Sequence, residues 1–287
     1  MTFGILTLAT SNDYLKAIGL ALSLKISNPG VHLAVACTPS VKSELTPFFD
    51  YVVDQRTDMQ GFRQKVCLDY YSPFDKTLYL DSDILVFKPV SNFIQEWGDA
   101  PYTACGKYVT DGYSAFKLDR AAQLKRIGKP KFVTVDGSGH GYFNKPACNP
   151  FFDRAREITD HHKEIAGNID FADEDVIAIA MTEFDYAPVN HIPFFSRYLS
   201  AVKGTVNMNV SLGKCSFISV DTQLPYEPCM MHFAANEAPF HYTIQMIGLF
   251  SKFGLPTMPL IKLGIKMFYK WHFKSPLHRR LKKMGLI

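Results

Sequence analysis

Short apolar runs alternate with amphipathic segments along the first third of the chain. Residues 3–10 are apolar and rich in β-forming side chains, and Ser11-Asn12-Asp13 follows with side chains that cap helix N-termini. Residues 15–26 then carry Leu and Ile at the spacing of one helical face, and Asn28-Pro29-Gly30 ends that pattern. The pattern predicts a strand and then a helix, joined by a polar turn.

The same alternation continues as far as residue 80. Apolar runs at 31–37, 51–53 and 76–80 predict three more strands, and residues 41–48 and 61–71 predict helices between them. Strands that alternate with helices indicate βαβ units, so the predicted fold class is α/β, with a mainly parallel sheet flanked by helices. In such a sheet, ligands bind beyond the carboxyl ends of the strands.

The second half of the chain has a more mixed pattern. Strands are predicted at 102–108, 131–135, 142–143, 214–220 and 229–233, and helices at 149–165 and 173–181. The first 237 residues contain no repeat and no Gly/Ser-rich or Pro-rich linker. A single large domain over residues 1–253 is therefore predicted, followed by a distinct tail over residues 254–287.

Charge separates the tail from the rest of the chain. All 27 acidic residues lie at or before Glu237, and nine of the 31 Lys and Arg residues follow it. The chain up to Glu237 is therefore acidic overall, whereas the last fifty residues are basic. A general nucleic-acid binder is usually basic across a whole face, so we expect no nucleic-acid partner. A basic tail instead predicts an anionic partner of its own.

Two carboxylates interrupt an apolar run in the middle of the predicted sheet. Asp81 and Asp83 stand between the apolar segments 77–80 and 84–87, where burial would cost free energy unless a cation compensated it. At positions i and i+2 of an extended chain the two side chains point the same way. Oxygen ligands of this kind suit Mg²⁺ or Mn²⁺ bridging a diphosphate. A second Asp-x-Asp pattern stands at Asp173-Glu174-Asp175. A helix is predicted to start there, and acids at a helix N-terminus are favoured without any ligand.

Residues 74–86 resemble the acid-pair segment of GT-A-fold glycosyltransferases, especially the family 8 and glycogenin-like enzymes. Residues 8–25 resemble the N-terminal segment of the same enzymes. The resemblance implies a GT-A-like fold, with a nucleotide base, usually uracil, held by Thr10, Asn12 and Tyr14.

The resemblance also assigns residues around the donor. Lys65 stands where these enzymes place a basic residue that faces the donor, and residues 138–144, including Gly139, resemble the loop and strand that line the sugar pocket. His232 resembles the late histidine that completes the metal shell with Asp81 and Asp83. Asp173 and Glu174 fall where the family carries an acidic residue near the transferred sugar.

Two positions depart from the family 8 pattern. Gly137 stands where an Asn usually precedes the sugar-pocket loop, and Ala238 stands where a Lys usually follows the late histidine. The resemblance therefore supports the fold more strongly than the subfamily.

The implied function is metal-dependent transfer of a sugar from a nucleotide-sugar donor, with Mn²⁺ or Mg²⁺ as cofactor. The donor would be a UDP-sugar and the acceptor a glycan or lipid-linked glycan, and the enzyme is expected to be a hexosyltransferase. Two alternatives stay open: a nucleotidyltransferase, which shares an acid-pair α/β layer, and a non-catalytic membrane-binding module on a transferase scaffold. The polar segment 11–14 lacks the glycine-rich basic loop that a nucleotidyltransferase normally carries after its first strand.

The tail reads as a basic amphipathic helix followed by more basic residues. Lys262, Lys266, Lys270 and Lys274 form one stripe, aromatic and aliphatic residues occupy the other faces, and residues 278–283 add further positive charge. Such a helix suits an anionic membrane surface, and the alternative is a terminal helix docked on the body. Residues 1–10 do not resemble a signal peptide, and the six scattered cysteines suit reduced thiols. A cytoplasmic protein, peripheral on the inner membrane face, is therefore predicted.

Overall fold

The computed structural model describes residues 2–136, 139–189, 194–197, 200–234 and 238–274. Its strands are β1 (Phe3–Ala9), β2 (His32–Cys37), β3 (Tyr51–Asp54), β4 (Lys76–Leu80), β5 (Ile84–Val86), β6 (Tyr102–Thr103), β7 (Tyr108–Val109), β8 (Phe132–Val133), β9 (His140–Asn144), β10 (Phe195–Arg197), β11 (Asn207–Asn209), β12 (Lys214–Ile218), β13 (Pro225–Tyr226) and β14 (Met230–His232).

The α-helices are fewer and vary widely in length. They are α1 (Tyr14–Ser27), α2 (Lys42–Leu45), α3 (Leu68–Tyr71), α4 (Ser91–Trp97), α5 (Arg120–Ile127), α6 (Asn149–Asp160), α7 (His162–Ile165), α8 (Asp173–Glu183), α9 (Pro239–Lys252) and α10 (Met258–Tyr269). The chain folds as two compact units. The first comprises Met1–Tyr14, Val31–Asp81 and Ser91–His191, and the second comprises Leu15–Gly30, Ser82–Val90 and Ile192–Ile287.

The first unit contains a six-stranded sheet with the order β3-β2-β1-β4-β9-β6. The four strands from β3 to β4 run parallel, and β9 runs antiparallel to both β4 and β6. Leu6 of β1 and Leu78 and Leu80 of β4 are fully buried, as expected for central strands covered on both faces. The predicted mainly parallel α/β sheet is therefore confirmed.

Two predicted elements of the first unit take a different form. Residues 61–71 were predicted as one helix, but Gly61–Cys67 is a 3₁₀ segment and only Leu68–Tyr71 is α-helical. The Gln64 amide donates to the carbonyls of Arg56 and Met59 at 2.8 and 2.6 Å, and such tertiary bonds outweigh a weak helix propensity.

The predicted strand over residues 102–108 is likewise divided into β6 and β7. Between them Gly106 passes so close to the backbone of Thr134 that a Cβ atom would lie 1.8 Å from the Thr134 carbonyl oxygen. The Thr134 N–H also donates to the Lys107 carbonyl at 2.8 Å, which holds the two segments together. Backbone approach, rather than a continuous ladder, therefore sets the path of the chain here.

The second unit contains two three-stranded sheets, with the orders β10-β14-β5 and β11-β12-β13. The apolar segment after Asp83 forms β5, which pairs antiparallel with β14 and belongs to a different sheet from β4. Helices α1 and α9 pack closely: a Cβ on Gly19 would meet the sulfur of Met246 at 2.1 Å.

The described part of the basic tail consists of α10 and a π-helical turn over Lys270–Lys274. Leu260 and Met267 are buried, and a Cβ on Gly264 would meet the Thr243 hydroxyl at 2.6 Å, so one face of α10 packs on α9. The predicted basic cluster at residues 278–283 lies outside the described residues. Within the residues that are described, no helix combines the length and the hydrophobicity needed to cross a bilayer.

Gly106→Ala should destabilise the protein by about 2 kcal/mol or more, because the added methyl group collides with a backbone carbonyl that cannot rotate away. Urea unfolding measures the loss. Gly248→Ala is the matched control, because its Cβ would meet only the Ser211 hydroxyl at 3.8 Å on an exposed face of α9, where Ala is favoured by up to about 1 kcal/mol. Equal stability of the two variants would contradict the close approach at Gly106.

Candidate functional site

Asp81 lies directly after β4 and is held by three parts of the first unit. Its backbone N–H donates to the Gly139 carbonyl at 2.7 Å, and its carboxylate accepts a hydrogen bond from the Tyr79 hydroxyl. The Lys65 ammonium lies 3.0 and 3.1 Å from its two carboxylate oxygens. The Asp81 carboxylate therefore has a defined orientation and a positive partner.

Lys65 connects Asp81 with the start of α8. Its ammonium lies 2.9 Å from the Asp173 carboxylate, and its side chain is only 6% exposed. Burial lowers the pKa of Lys65, but the charges of Asp81 and Asp173 and their hydrogen bonds outweigh it and raise that pKa above its ordinary value. Lys65 is thus a permanently charged cation shared by two carboxylates.

Asp83 has a comparable environment in the second unit. The Lys16 ammonium lies 3.3 Å from Oδ2, and Nε2 of His232 lies 3.0 Å from Oδ1. Burial alone would raise the pKa of Asp83, but the charges of Lys16 and His232 and their hydrogen bonds hold it well below its ordinary range. Asp83 is therefore ionised at neutral pH.

Strand pairing explains how His232 reaches Asp83 across 149 residues of sequence. β14 runs antiparallel to β5 with His232 opposite Ile84, and the Phe233 N–H donates to the Asp83 carbonyl at 3.1 Å. These backbone bonds fix the register, and the register fixes the imidazole beside the carboxylate.

The three predicted metal ligands come together. One ligand atom each of Asp81, Asp83 and His232 lie within 4.8 Å of one another. Two carboxylates and an imidazole form a donor set that suits Mn²⁺, and also Mg²⁺ with water completing its shell. The residues present therefore fit a divalent metal ion.

The predicted base-binding residues follow β1. Because β1 and β4 are adjacent and parallel, Thr10 and Asp81 leave the same edge of the sheet. The Thr10 hydroxyl donates to the Asp13 carboxylate at 2.9 Å and accepts from the Asn12 N–H at 3.3 Å, so the turn is well defined. Asn12 is exposed and Tyr14 is half-buried, which leaves both side chains accessible.

The acidic triplet at the start of α8 places its members in different surroundings. Asp173 is buried against Lys65, and Glu174 is half-buried. Asp175, which the sequence analysis did not select, is 2% exposed and accepts a hydrogen bond from the Ser114 hydroxyl at 3.0 Å. Burial raises the pKa of Asp175 to about 6 and the charge of Asp173 adds to it, although Ser114 and Arg120 act in the opposite direction.

Sequence reasoning missed Lys16 and Asp175 for different reasons. Lys16 lies in the amphipathic segment assigned to α1, where a lysine is ordinarily solvated, yet its side chain is only 10% exposed. Asp175 completes the Asp-x-Asp pattern at a helix start, where the helix dipole alone accounts for an acid. For Lys16, the only signal in the sequence was the unusually apolar helix around it.

The fold is similar to that of several solved glycosyltransferases. The bifunctional glycosyltransferase WbbM matches with a TM-score of 0.61 at 12% identity over 91% of this chain, and this chain spans about half (51%) of WbbM. The galactosyltransferase LgtC, in complex with donor and acceptor sugar analogues, matches with a TM-score of 0.54 at 15% identity, covering 92% of this chain and 95% of LgtC.

A structure of an active-site mutant of LgtC gives a TM-score of 0.51 at 15% identity over 80% of this chain and 87% of that protein. No family model matches the sequence, and no curated protein matches it. Because its structure is similar to those of WbbM and LgtC, the chain has a GT-A-like glycosyltransferase fold, as the sequence predicted.

The buried carboxyl of Asp175 should make the stability of the protein depend on pH. Its folded pKa of about 6 exceeds the ordinary value of 3.8, so between about pH 4 and pH 6 the folded state binds more protons than the unfolded state. The free energy of unfolding therefore falls as pH rises through this window, by on the order of 1–2 kcal/mol. Asp175→Asn should remove this loss, so the variant should gain stability relative to the parent between pH 4.5 and pH 8.

Urea unfolding at the two pH values measures that difference. Asp111→Asn, at an exposed position, is the control and should follow the parent at both pH values. If the stability of Asp175→Asn changed between pH 4.5 and pH 8 by the same amount as that of the parent, the raised pKa of Asp175 would be contradicted.

Proposed function

We propose that this chain is a metal-dependent glycosyltransferase. It is a hexosyltransferase, and its nucleotide-sugar donor is a UDP-sugar. It moves the sugar onto a glycan or glycolipid acceptor. The observation that carries the proposal is the cluster of Asp81, Asp83 and His232 within 4.8 Å at the end of a central strand. The GT-A-like fold shared with WbbM and LgtC supports it, and LgtC itself is described with donor and acceptor sugar analogues.

Asp81, Asp83 and His232 would hold the Mn²⁺ or Mg²⁺ ion. When bound, the metal acts as a Lewis acid that stabilises the charge of the departing nucleoside diphosphate. Lys65 remains charged beside Asp81 and Asp173, so it would offset negative charge on the donor phosphates.

The donor would extend over the carboxyl ends of β1 and β4. Thr10, Asn12 and Tyr14 would bind the base, because their turn is ordered and two of the three side chains are accessible. Gly139 would line the sugar pocket, because its carbonyl accepts from the Asp81 N–H and so ties its loop to the acid pair.

Asp173 and Glu174 would serve the transferred sugar from the first turn of α8. Asp173 forms a salt bridge with Lys65, so Asp173 would position the Lys65 ammonium relative to the donor. Glu174 is the half-buried neighbour of Asp173, so it is the carboxylate of this turn with access to a bound sugar.

UDP should stabilise the protein only when a divalent cation is present, because Asp81, Asp83 and Asp173 repel a diphosphate and a cation reverses this. A thermal-shift assay with UDP, with and without Mn²⁺, measures this dependence, and ADP, CDP and GDP test the choice of base. Asp83→Asn should abolish the Mn²⁺-dependent shift by removing a ligand charge. Asp99→Asn, at a 90% exposed carboxylate, is its matched control. An equal UDP shift in chelator would contradict metal-dependent binding.

We further propose that the basic tail binds an anionic membrane surface, at the cytoplasmic face. Leu260 and Met267 dock α10 on α9, while Ile261, Ile265 and Phe268 are 43–66% exposed on another face. The exposed residues Lys262 and Lys266 follow the apolar side chains around the helix. A helix with an exposed apolar face bordered by lysines is the arrangement that binds at the interface of an anionic bilayer.

Ile265→Glu should weaken binding to phosphatidylglycerol-containing vesicles by roughly tenfold, since a charge replaces a side chain that would insert into the bilayer. Vesicle sedimentation measures the loss, and wild-type binding should also fall steeply from 50 to 500 mM salt. Leu212→Glu is the matched control, because Leu212 is 64% exposed but lies outside α9 and α10. Unchanged binding of Ile265→Glu, or equal wild-type binding to neutral vesicles, would refute the proposal.

A further inference from the structure

Lys16 is a buried cation in the first turn of α1. The neighbouring residues Ala17, Ile18 and Leu20 are buried and apolar, and the Lys16 side chain is itself only 10% exposed. A charged ammonium in such surroundings is costly unless it has a charged partner. The ammonium nitrogen of Lys16 lies 3.3 Å from the Asp83 carboxylate, so the position of Lys16 depends on the proposed metal ligand.

The two oxygens of Asp83 have different neighbours. Oδ1 lies beside the His232 ring nitrogen, and Oδ2 lies beside Lys16. A divalent cation bound to Asp83 would therefore lie close to an ammonium group, and the two positive charges would repel each other. An anion that contacts both would remove this repulsion, and a diphosphate has enough charge and enough oxygen atoms to do so.

Further positive charge lies near Lys16 in the same unit. The pKa of Lys270 is lowered by partial burial and then by the ammonium groups of Lys266, Lys16 and Lys274. A positive charge that lowers the pKa of a neighbouring lysine repels that lysine, and an anion bound between them would relieve the repulsion. Once a divalent cation offsets the charge of Asp83, the surroundings of Lys16 would favour an anionic ligand.

We propose that Lys16 is a diphosphate-binding residue of the donor site: the contact with Asp83 orients its ammonium, which binds the phosphate oxygens of a nucleoside diphosphate when a divalent cation binds Asp83. The inference rests on the proposed function, because it requires a nucleoside diphosphate at the metal. It assigns to Lys16 a part in binding the leaving group that no local pattern along the chain predicts. Lys65 has the corresponding relation to Asp81 in the first unit.

Lys16→Met tests the assignment, because Met keeps the length of the side chain and suits an apolar helix without a charge. At saturating Mn²⁺ the variant should bind UDP about tenfold more weakly by calorimetry, while uridine, which has no phosphate, should bind within about twofold of the wild type. Mn²⁺ alone, measured by electron paramagnetic resonance, should bind as tightly as in the wild type or more tightly, because a competing cation has been removed.

Two further variants control for charge and for folding. Lys16→Arg keeps the charge and should retain UDP affinity within about threefold. Lys25→Met removes an exposed lysine from the last turn of the same helix and should leave UDP affinity unchanged. Thermal unfolding of each variant establishes that it is folded before binding is measured.

The possible results separate the proposals. Wild-type UDP affinity in Lys16→Met, or an equal loss for UDP and uridine, would overturn the role of Lys16 and leave the proposed function intact. Loss of Mn²⁺ binding in Lys16→Met would also overturn it, by showing that Lys16 only supports the metal ligand. Failure of the wild type to bind UDP, ADP, CDP or GDP with Mn²⁺ would overturn both proposals.

Discussion

The cost of burying carboxylates beside apolar strands is the constraint on which the site depends. The side chains of Asp81, Asp83 and Asp173 are only 9–20% exposed, and an ionised carboxylate in such a position is unstable without a cation. The fold supplies one buried lysine in each unit: Lys65 serves Asp81 and Asp173, and Lys16 serves Asp83. In the proposed function, the same two lysines would contact the phosphates of a nucleoside diphosphate once a divalent cation offsets the charge of the acids.

Backbone geometry brings these groups to the acids from distant parts of the chain. The antiparallel pairing of β14 with β5 brings His232 to Asp83, and the 3₁₀ segment Gly61–Cys67 carries Lys65 to Asp81. Backbone hydrogen bonds between β14 and β5 hold His232 in place. Hydrogen bonds from the Gln64 side chain to two backbone carbonyls hold the segment that carries Lys65. Precise placement of this kind is what a metal site requires.

In the proposed function, the helix α10 combines docking on α9 with membrane binding, which the sequence presented as alternatives. Its buried face, with Leu260 and Met267, packs on α9, whereas Ile261, Ile265 and Phe268 remain exposed beside the lysine stripe. Docking and membrane binding use different faces of the helix, so one does not exclude the other. The proposed membrane surface is therefore held by a folded element, and its binding would not have to offset the entropy of ordering a free tail.

Features that depend on a local pattern could be predicted from the amino-acid sequence. Alternating strands and helices specified the parallel sheet, because a buried parallel strand must be a continuous apolar run. Asp81 and Asp83 stood out because two acids inside such a run are unfavourable without compensation. Lys65 and His232 were predicted only through resemblance to known glycosyltransferases, since their spacing along the chain has no local meaning.

Features whose partners are distant in sequence became visible only in the folded chain. Lys16 lies 67 residues from Asp83, and Ser114 lies 61 residues from Asp175, so no window along the chain relates them. The division of residues 102–108 into β6 and β7 likewise depends on the backbone of Thr134, which approaches Gly106 from another segment. Burial and charge pairing are properties of the folded surroundings, and the same lysine or aspartate on an exposed helix would have neither.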